Sequence, residues 1–260
     1  MDIIKRRPLA LTIAQGFTLA DRLAWLCFGA WLLTMIAIPI VRWRMGEGAV
    51  RWGVSLSVCL LALSVLITLF DTWGWRMMVR CFVIVASGGW AIEWVGSNTG
   101  IPFGVYHYTT ALQPQLAGVP LLIPLAWLMM LPPAWAVGSC ITLGQRDWRF
   151  VAISAAAFTA WDLFLDPQMV GWGYWVWSTP GQYFGIPLSN FGGWLLSAAL
   201  LTILVRPAPL PKTRLITIYA VTWFLQSFGQ LFFWQMAGPA LAGCLGMGGF
   251  LYWAYRRNRQ

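Results

Sequence analysis

Eight apolar runs, near 23–41, 54–70, 78–95, 119–143, 150–166, 187–205, 215–236 and 239–255, leave this chain few ways to fold. Each approaches the roughly 20 residues that carry an α-helix across a bilayer core. Lipid offers no partner to an unpaired backbone N–H or C=O, so runs that cross it must be helical. Composition agrees, with 59% of residues hydrophobic and 10% charged, against about a quarter charged in soluble domains. The expected fold is all-α: one polytopic membrane bundle over residues 1–260, with eight helices, or seven if the short last run does not cross. The N-terminal MDIIKRRPLALTIAQGF starts basic but has no small-residue cleavage site after a clear apolar stretch, so it reads as retained.

A net charge of +9 could suggest nucleic acid, but the basic residues sit in short connections and at the tail. That is the positive-inside pattern, so the charge reports orientation and no nucleic-acid partner is expected. With both termini cytoplasmic in a cell (plasma) membrane, Lys5, Arg6, Arg7, Arg22, Arg76, Arg80, Arg146, Arg149, Arg206, Lys212, Arg214, Arg256, Arg257 and Arg259 fall inside. Only Arg42, Arg44 and Arg51 fall outside; were the first run re-entrant, these three would be cytoplasmic too. Cys27, Cys59, Cys81, Cys140 and Cys244 stand singly in apolar runs, with no CxxC pair and no nearby His. They read as packing residues, and no metal is expected.

Against this background three acids stand out: Glu93, Asp162 and Asp166 lie inside apolar, aromatic runs. A carboxylate at membrane depth costs several kcal/mol unless paired or protonated, which makes such acids functional candidates. Asp162 and Asp166 are four apart and share a helix face. A blander reading also exists. Glu93 and Asp166 stand near helix ends where acids mark the membrane boundary, and Asp166-Pro167 is an ordinary helix stop. Asp162, deeper and flanked by Trp161, Leu163 and Phe164, fits that reading least.

The acids head two similar segments, EWVGSNTGIPFGVYHYTTALQPQLAGVPLLIPLAW and DLFLDPQMVGWGYWVWSTPGQYFGIPLSNFGGW. Glu93 aligns with Asp162, Phe103-Gly104 with Trp172-Gly173, Gly118-Val119-Pro120 with Gly185-Ile186-Pro187, and Trp127 with Trp194. Each unit, roughly 78–143 and 150–205, is a helix ending in an acid, an uncharged aromatic loop and a returning helix. Both enter from the same side, so the expectation is a parallel internal repeat with its site between the halves. Around the acids lie Trp90, Trp94, Trp161, Tyr106, Tyr108, Trp172, Tyr174, Trp175, Trp177 and Tyr183, more rings than an interfacial belt explains. An aromatic face stabilises a desolvated cation by up to about 2 kcal/mol, so acids lined by rings suit carbocation chemistry. His107, the single histidine, is equally a candidate acid or base and a structural residue.

The segments EWVGSNTGIPFGVYHYT, GVPLLIPLAW, WDLFLDP with GWGYWVW, and GIPLSNFGGW resemble the carotenoid-biosynthesis membrane proteins, the family that includes the carotenoid 1,2-hydratases and the bisanhydrobacterioruberin hydratase. The resemblance covers roughly residues 80–200. It implies cofactor-free addition of water to the terminal 1,2 double bond of an acyclic carotenoid. Partners would be that lipophilic substrate, membrane lipid and other enzymes of the pathway. Such chemistry needs a proton on the less substituted carbon and water to capture the tertiary cation. A buried pair of carboxyls can hold one proton while its neighbour stays ionised. The expected roles are Asp162 as proton donor, Glu93 or Asp166 activating water, loop aromatics facing the cation, and Asn98, Thr99, Gln168 and Asn190 holding water.

Three other readings use the same residues. A membrane lycopene cyclase protonates the same bond but captures the cation with an internal alkene. An intramembrane prenyltransferase is suggested by DLFLD, half of a magnesium-diphosphate motif, but a second aspartate-rich motif is missing. A proton-coupled transporter would use the acids as a relay, although polarity concentrates at one membrane face.

Overall fold

The computed structural model describes residues 18–259. Lys5, Arg6 and Arg7, and the reading of the N-terminal segment as retained, lie outside the described residues. The helices are α1 (Leu19–Met45), α2 (Glu47–Thr99), α3 (Leu122–Ile141), α4 (Trp148–Gly171), α5 (Leu188–Val205), α6 (Lys212–Phe232) and α7 (Ala237–Asn258). Four short strands, β1 (Tyr106–Tyr108), β2 (Gln115–Leu116), β3 (Val119–Pro120) and β4 (Trp175–Trp177), lie in the loops before α3 and α5. The protein is an all-α membrane bundle, and the seven helices among the described residues are one fewer than the eight apolar runs.

The difference lies in α2, whose 53 residues would run about 80 Å if straight, against about 30 Å of hydrocarbon. It is not straight. Gly74 interrupts it at φ 72°, ψ 174°, a region of backbone space that is essentially glycine's alone. Val54, Ser57 and Leu61 before this point and Glu93 after it line one cavity, so the chain doubles back at Gly74. The runs 54–70 and 78–95 are the two arms of one broken helix.

Local chemistry sets the other helix ends. Thr18 caps α1 by accepting from the Asp21 N–H at 2.9 Å, and Asp147 caps α4 through the Arg149 and Phe150 N–H groups. Gly100, left-handed at φ 76°, closes α2. Pro167 does not end α4, which continues to Gly171; proline is tolerated inside membrane helices because neighbouring groups satisfy the freed carbonyl.

α3 is buried from Ile123 to Ile141 but for Leu125, and it packs against α2, α4, α6 and α7 as the bundle's axis. An apolar surface all round suits that place. Small residues allow close approach: a Cβ added at Gly138 would stand 2.2 Å from Ser154 Oγ on α4, and one at Gly243 would stand 2.6 Å from the Phe164 ring.

An arginine marks each end of the bundle. At one, the Arg42 guanidinium lies 5.2 Å over Trp234, whose ring meets Trp172 at 4.9 Å, so the α1–α2 junction shares an end with the aromatic loops. At the other, Arg214 pairs with Asp71 at 3.1 Å and with buried Asp21, tying α6 to α1 and α2.

Nothing lies within 4 Å of a Cβ built on Gly74, so a side chain there costs backbone strain alone, of order 1–3 kcal/mol. Gly74→Ala is expected to lower the thermal midpoint in detergent, whereas Gly249→Ala, mid-helix and equally open, leaves it unchanged or raised.

Candidate active site

β1 and β4 form an antiparallel ribbon pairing Tyr106 with Trp177, His107 with Val176 and Tyr108 with Trp175. Side chains alternate along a strand. Tyr106, Tyr108, Trp175 and Trp177 therefore share the inner face, while His107 and Val176 are exposed on the outer one.

The inner face presents hydrogen-bond donors to the acids. Tyr106 and Tyr108 hydroxyls donate to Glu93 Oε2 at 2.6 and 2.8 Å, and Trp127 Nε1 from α3 donates to Oε1 at 3.2 Å. Trp175 Nε1 donates to Asp166 Oδ1 at 3.1 Å. Asn190, in the first turn of α5, donates its amide to Asp162 Oδ2 at 2.9 Å and to Asp166 Oδ2. All of these donors are neutral. The ion pairs of Arg42 with Glu47 and of Arg214 with Asp21 and Asp71 lie elsewhere. A carboxyl given three donors tolerates ionisation, and two carboxyls sharing one amide suit a shared proton.

Below the ribbon opens a cavity of about 460 Å³. Glu93, Asp166 and Asn190 head it, and Tyr106, Tyr108, Trp161, Gln168, Trp172 and Trp177 also line it. Trp127 and Trp194, stacked at 5.0 Å and 17°, form another part of its wall. The far wall is mainly aliphatic, made by Met35 to Ile40 on α1 and Val54 to Leu61 on α2, with Trp31 and Ser57 among them. Between α1 and α6 the boundary is made by Ile36, Ile40, Phe224, Phe228 and Phe233, which line the cavity and are also exposed outside.

Several residues singled out in the sequence are not brought to this cavity. Asp162 is completely buried behind its wall, in contact with Asp166, and both carboxyls accept from the Asn190 amide. Trp90 and Trp94 stack on each other at 6.2 Å, with Trp94 exposed. Asn98 and Thr99 donate back to the carbonyls of Trp94 and Val95. Tyr174 is buried without lining the cavity, and Tyr183 donates to the Leu163 carbonyl at 2.9 Å. His107 faces away from the acids because strand alternation turns it outward. Missing from the sequence reading of the site are Trp127 and Trp175 as carboxyl donors, and the walls from α1, α2 and α6. Trp127 carried a signal, its alignment with Trp194; the distant walls carried none.

Among the described residues, no group of three or more His, Cys, Asp or Glu side chains is arranged to hold a metal ion.

Fold and site together define a multi-pass membrane protein with carboxyls at the head of an apolar, ring-lined chamber. The chain belongs to a family described as carotenoid biosynthesis protein, whose model matches residues 53–248. The bisanhydrobacterioruberin hydratase of Haloarcula japonica is 34% identical over 120 residues, covering 44% of this chain and 40% of that protein. The match thus spans less than half the length of that curated relative. No solved structure matches.

Burial, with Glu93 alongside, pushes the Tyr106 and Tyr108 phenols above the ordinary tyrosine value, so both remain donors. Their stabilising contribution is full below the ordinary phenol pKa of about 10 and is lost only as pH rises through the higher folded values. Replacing both by Phe is expected to leave the phenolate absorbance gained between about pH 9 and about pH 11 unchanged, checked by ultraviolet titration in detergent.

Proposed function

We propose that this protein is a carotenoid hydratase, adding water across the terminal double bond of an acyclic carotenoid end without a cofactor. The observation that carries the reading is a pair of cavity-facing carboxyls, Glu93 and Asp166, held by neutral donors at the head of an apolar aromatic chamber. The name of the Haloarcula japonica relative supports it. A chamber reaching the outer surface of the bundle between α1 and α6 suits a substrate that arrives through lipid.

The proton-donor role anticipated for Asp162 passes to Asp166, because Asp162 does not reach the cavity. Asp166 protonates the less substituted alkene carbon, leaving a tertiary cation beside Trp161, Trp177 and Trp194. Water adds to that cation through oxygen and loses a proton to Glu93. The net reaction consumes one water, and both carboxyls are restored once the proton returns from Glu93 to Asp166. Asp162 is a positioning residue, acting through the Asn190 amide it shares with Asp166.

The units 78–143 and 150–205 read as a parallel repeat. In support, β1 and β4 pair across the two units, Gly104 and Gly173 both have positive φ, and Ala117-Gly118 and Phe184-Gly185 match at φ 49° and 84° against 49° and 89°. The acid end is taken as the outer face, since the basic connections gather at the other.

Expression in a lycopene-accumulating bacterium, with pigments read by chromatography and mass spectrometry, tests the reading. The expected product is more polar and heavier by one water per reacted end. An isomer of unchanged mass would mean a cyclase instead. Asp166→Asn and Glu93→Gln are each expected to lower product at least about 100-fold, while His107→Ala retains it.

A further inference from the structure

Two polar groups in the cavity are buried without a hydrogen-bond partner. Thr34, Thr72, Thr159, Thr202 and Thr217 each return their helical hydroxyl to the carbonyl four residues back, at 2.7 to 3.1 Å. Thr222, 3% exposed and also mid-helix, has no partner for its Oγ1. The indole N–H groups of Trp73, Trp90, Trp127, Trp135 and Trp223 all donate to the protein. That of Trp161, 1% exposed, does not. An N–H or O–H buried without a partner costs about 1–3 kcal/mol.

Both residues line the acid-headed cavity. They also lie between the same two cross-links of α4 and α6. Tyr219 on α6 donates to the Ala157 carbonyl of α4 at 2.7 Å, and Gln230 donates to the Phe164 carbonyl at 2.7 Å. Thr222 falls between these cross-links on α6, and Trp161 falls between them on α4. Along α4, Trp161 precedes Asp166 by five residues, about 7.5 Å of helix rise. Side chains five apart on a helix also point about 140° apart, so the two can face a bound double bond from different directions.

We infer that Trp161 and Thr222 form a binding site for one water molecule, the nucleophile, on the side of the bound double bond opposite Asp166. The inference rests on the hydratase reading and supplies what that reading lacks, a place for the attacking oxygen. The indole N–H donates to the water, and the water donates one of its own O–H groups to Thr222 Oγ1. These bonds leave a lone pair for the cation, and the departing proton goes to Glu93. For an oxygen-free polyene such as lycopene, solvent is the source of that oxygen.

The test is hydration of lycopene in D2O by the full-length protein in membranes, comparing wild type with Trp161→Phe, Thr222→Val and Thr222→Ser. Wild type is expected to give an alcohol carrying one deuterium on the carbon next to the carbinol. Trp161→Phe and Thr222→Val are expected to form at least tenfold less alcohol while still protonating the alkene. The cation then discharges by proton loss, and deuterium appears in the recovered polyene or a double-bond isomer. Thr222→Ser, which keeps the hydroxyl, is expected to retain hydration. Wild-type rates of alcohol formation in both the Phe and Val variants would overturn the assignment. So would loss of deuterium incorporation in step with alcohol, the mark of residues that only pack. No deuterium incorporation by the wild type would instead sink the hydratase reading itself, and this inference with it.

Discussion

Three carboxyl groups meet in the interior of this membrane protein, and among the described residues no cation pairs with any of them. Glu93, Asp162 and Asp166 are held by phenol, indole and amide donors. Much of the structure follows from this. The loops before α3 and α5 fold inward as a ribbon because their rings carry the O–H and N–H groups the acids need. α3 runs through the centre because Trp127 must reach Glu93 from the other side. A guanidinium in place of these donors would fix the acids as ion pairs and hold them ionised. Neutral donors satisfy an acid in either state, which a group that gives or takes a proton requires.

The helices themselves were legible in the sequence because lipid removes alternatives: an apolar run of sufficient length has no other way to satisfy its backbone. The acids were legible for the same reason, as exceptions inside those runs. What could not be read was direction. Trp90, Trp94, Asn98 and Thr99 are close to Glu93 in sequence, yet helical rotation carries Trp94, Asn98 and Thr99 to the outer surface. Asp162 looked the most committed acid by depth, but depth along a helix does not say which side chain meets the cavity. The turning back of the chain within α2 depends on one residue, Gly74, whose unusual backbone has no hydropathy signature.

The chamber is assembled from elements of two kinds. α2's second arm, α3, α4, α5 and the ribbon of β1 and β4 bring the acids, their donors and the stacked Trp127 and Trp194. α1, α2's first arm and α6 contribute chiefly apolar side walls, with Thr222 among them. Chemistry and enclosure are thus divided between different helices. Family membership reaches across most of both sets, from residue 53 to residue 248.

The ribbon of β1 and β4 is only three residue pairs long, and that brevity has a mechanical meaning. A slip of one strand by a single residue turns every side chain on it to the opposite face. On β1 such a slip would withdraw both tyrosines from Glu93 together and send His107 inward; on β4 it would withdraw Trp175 and Trp177 and send Val176 inward. No intermediate register keeps part of the set. Tyr106 and Tyr108 are therefore engaged with Glu93 or released from it together, while Trp127 and Asn190, carried by α3 and α5, hold their carboxyls independently of that register.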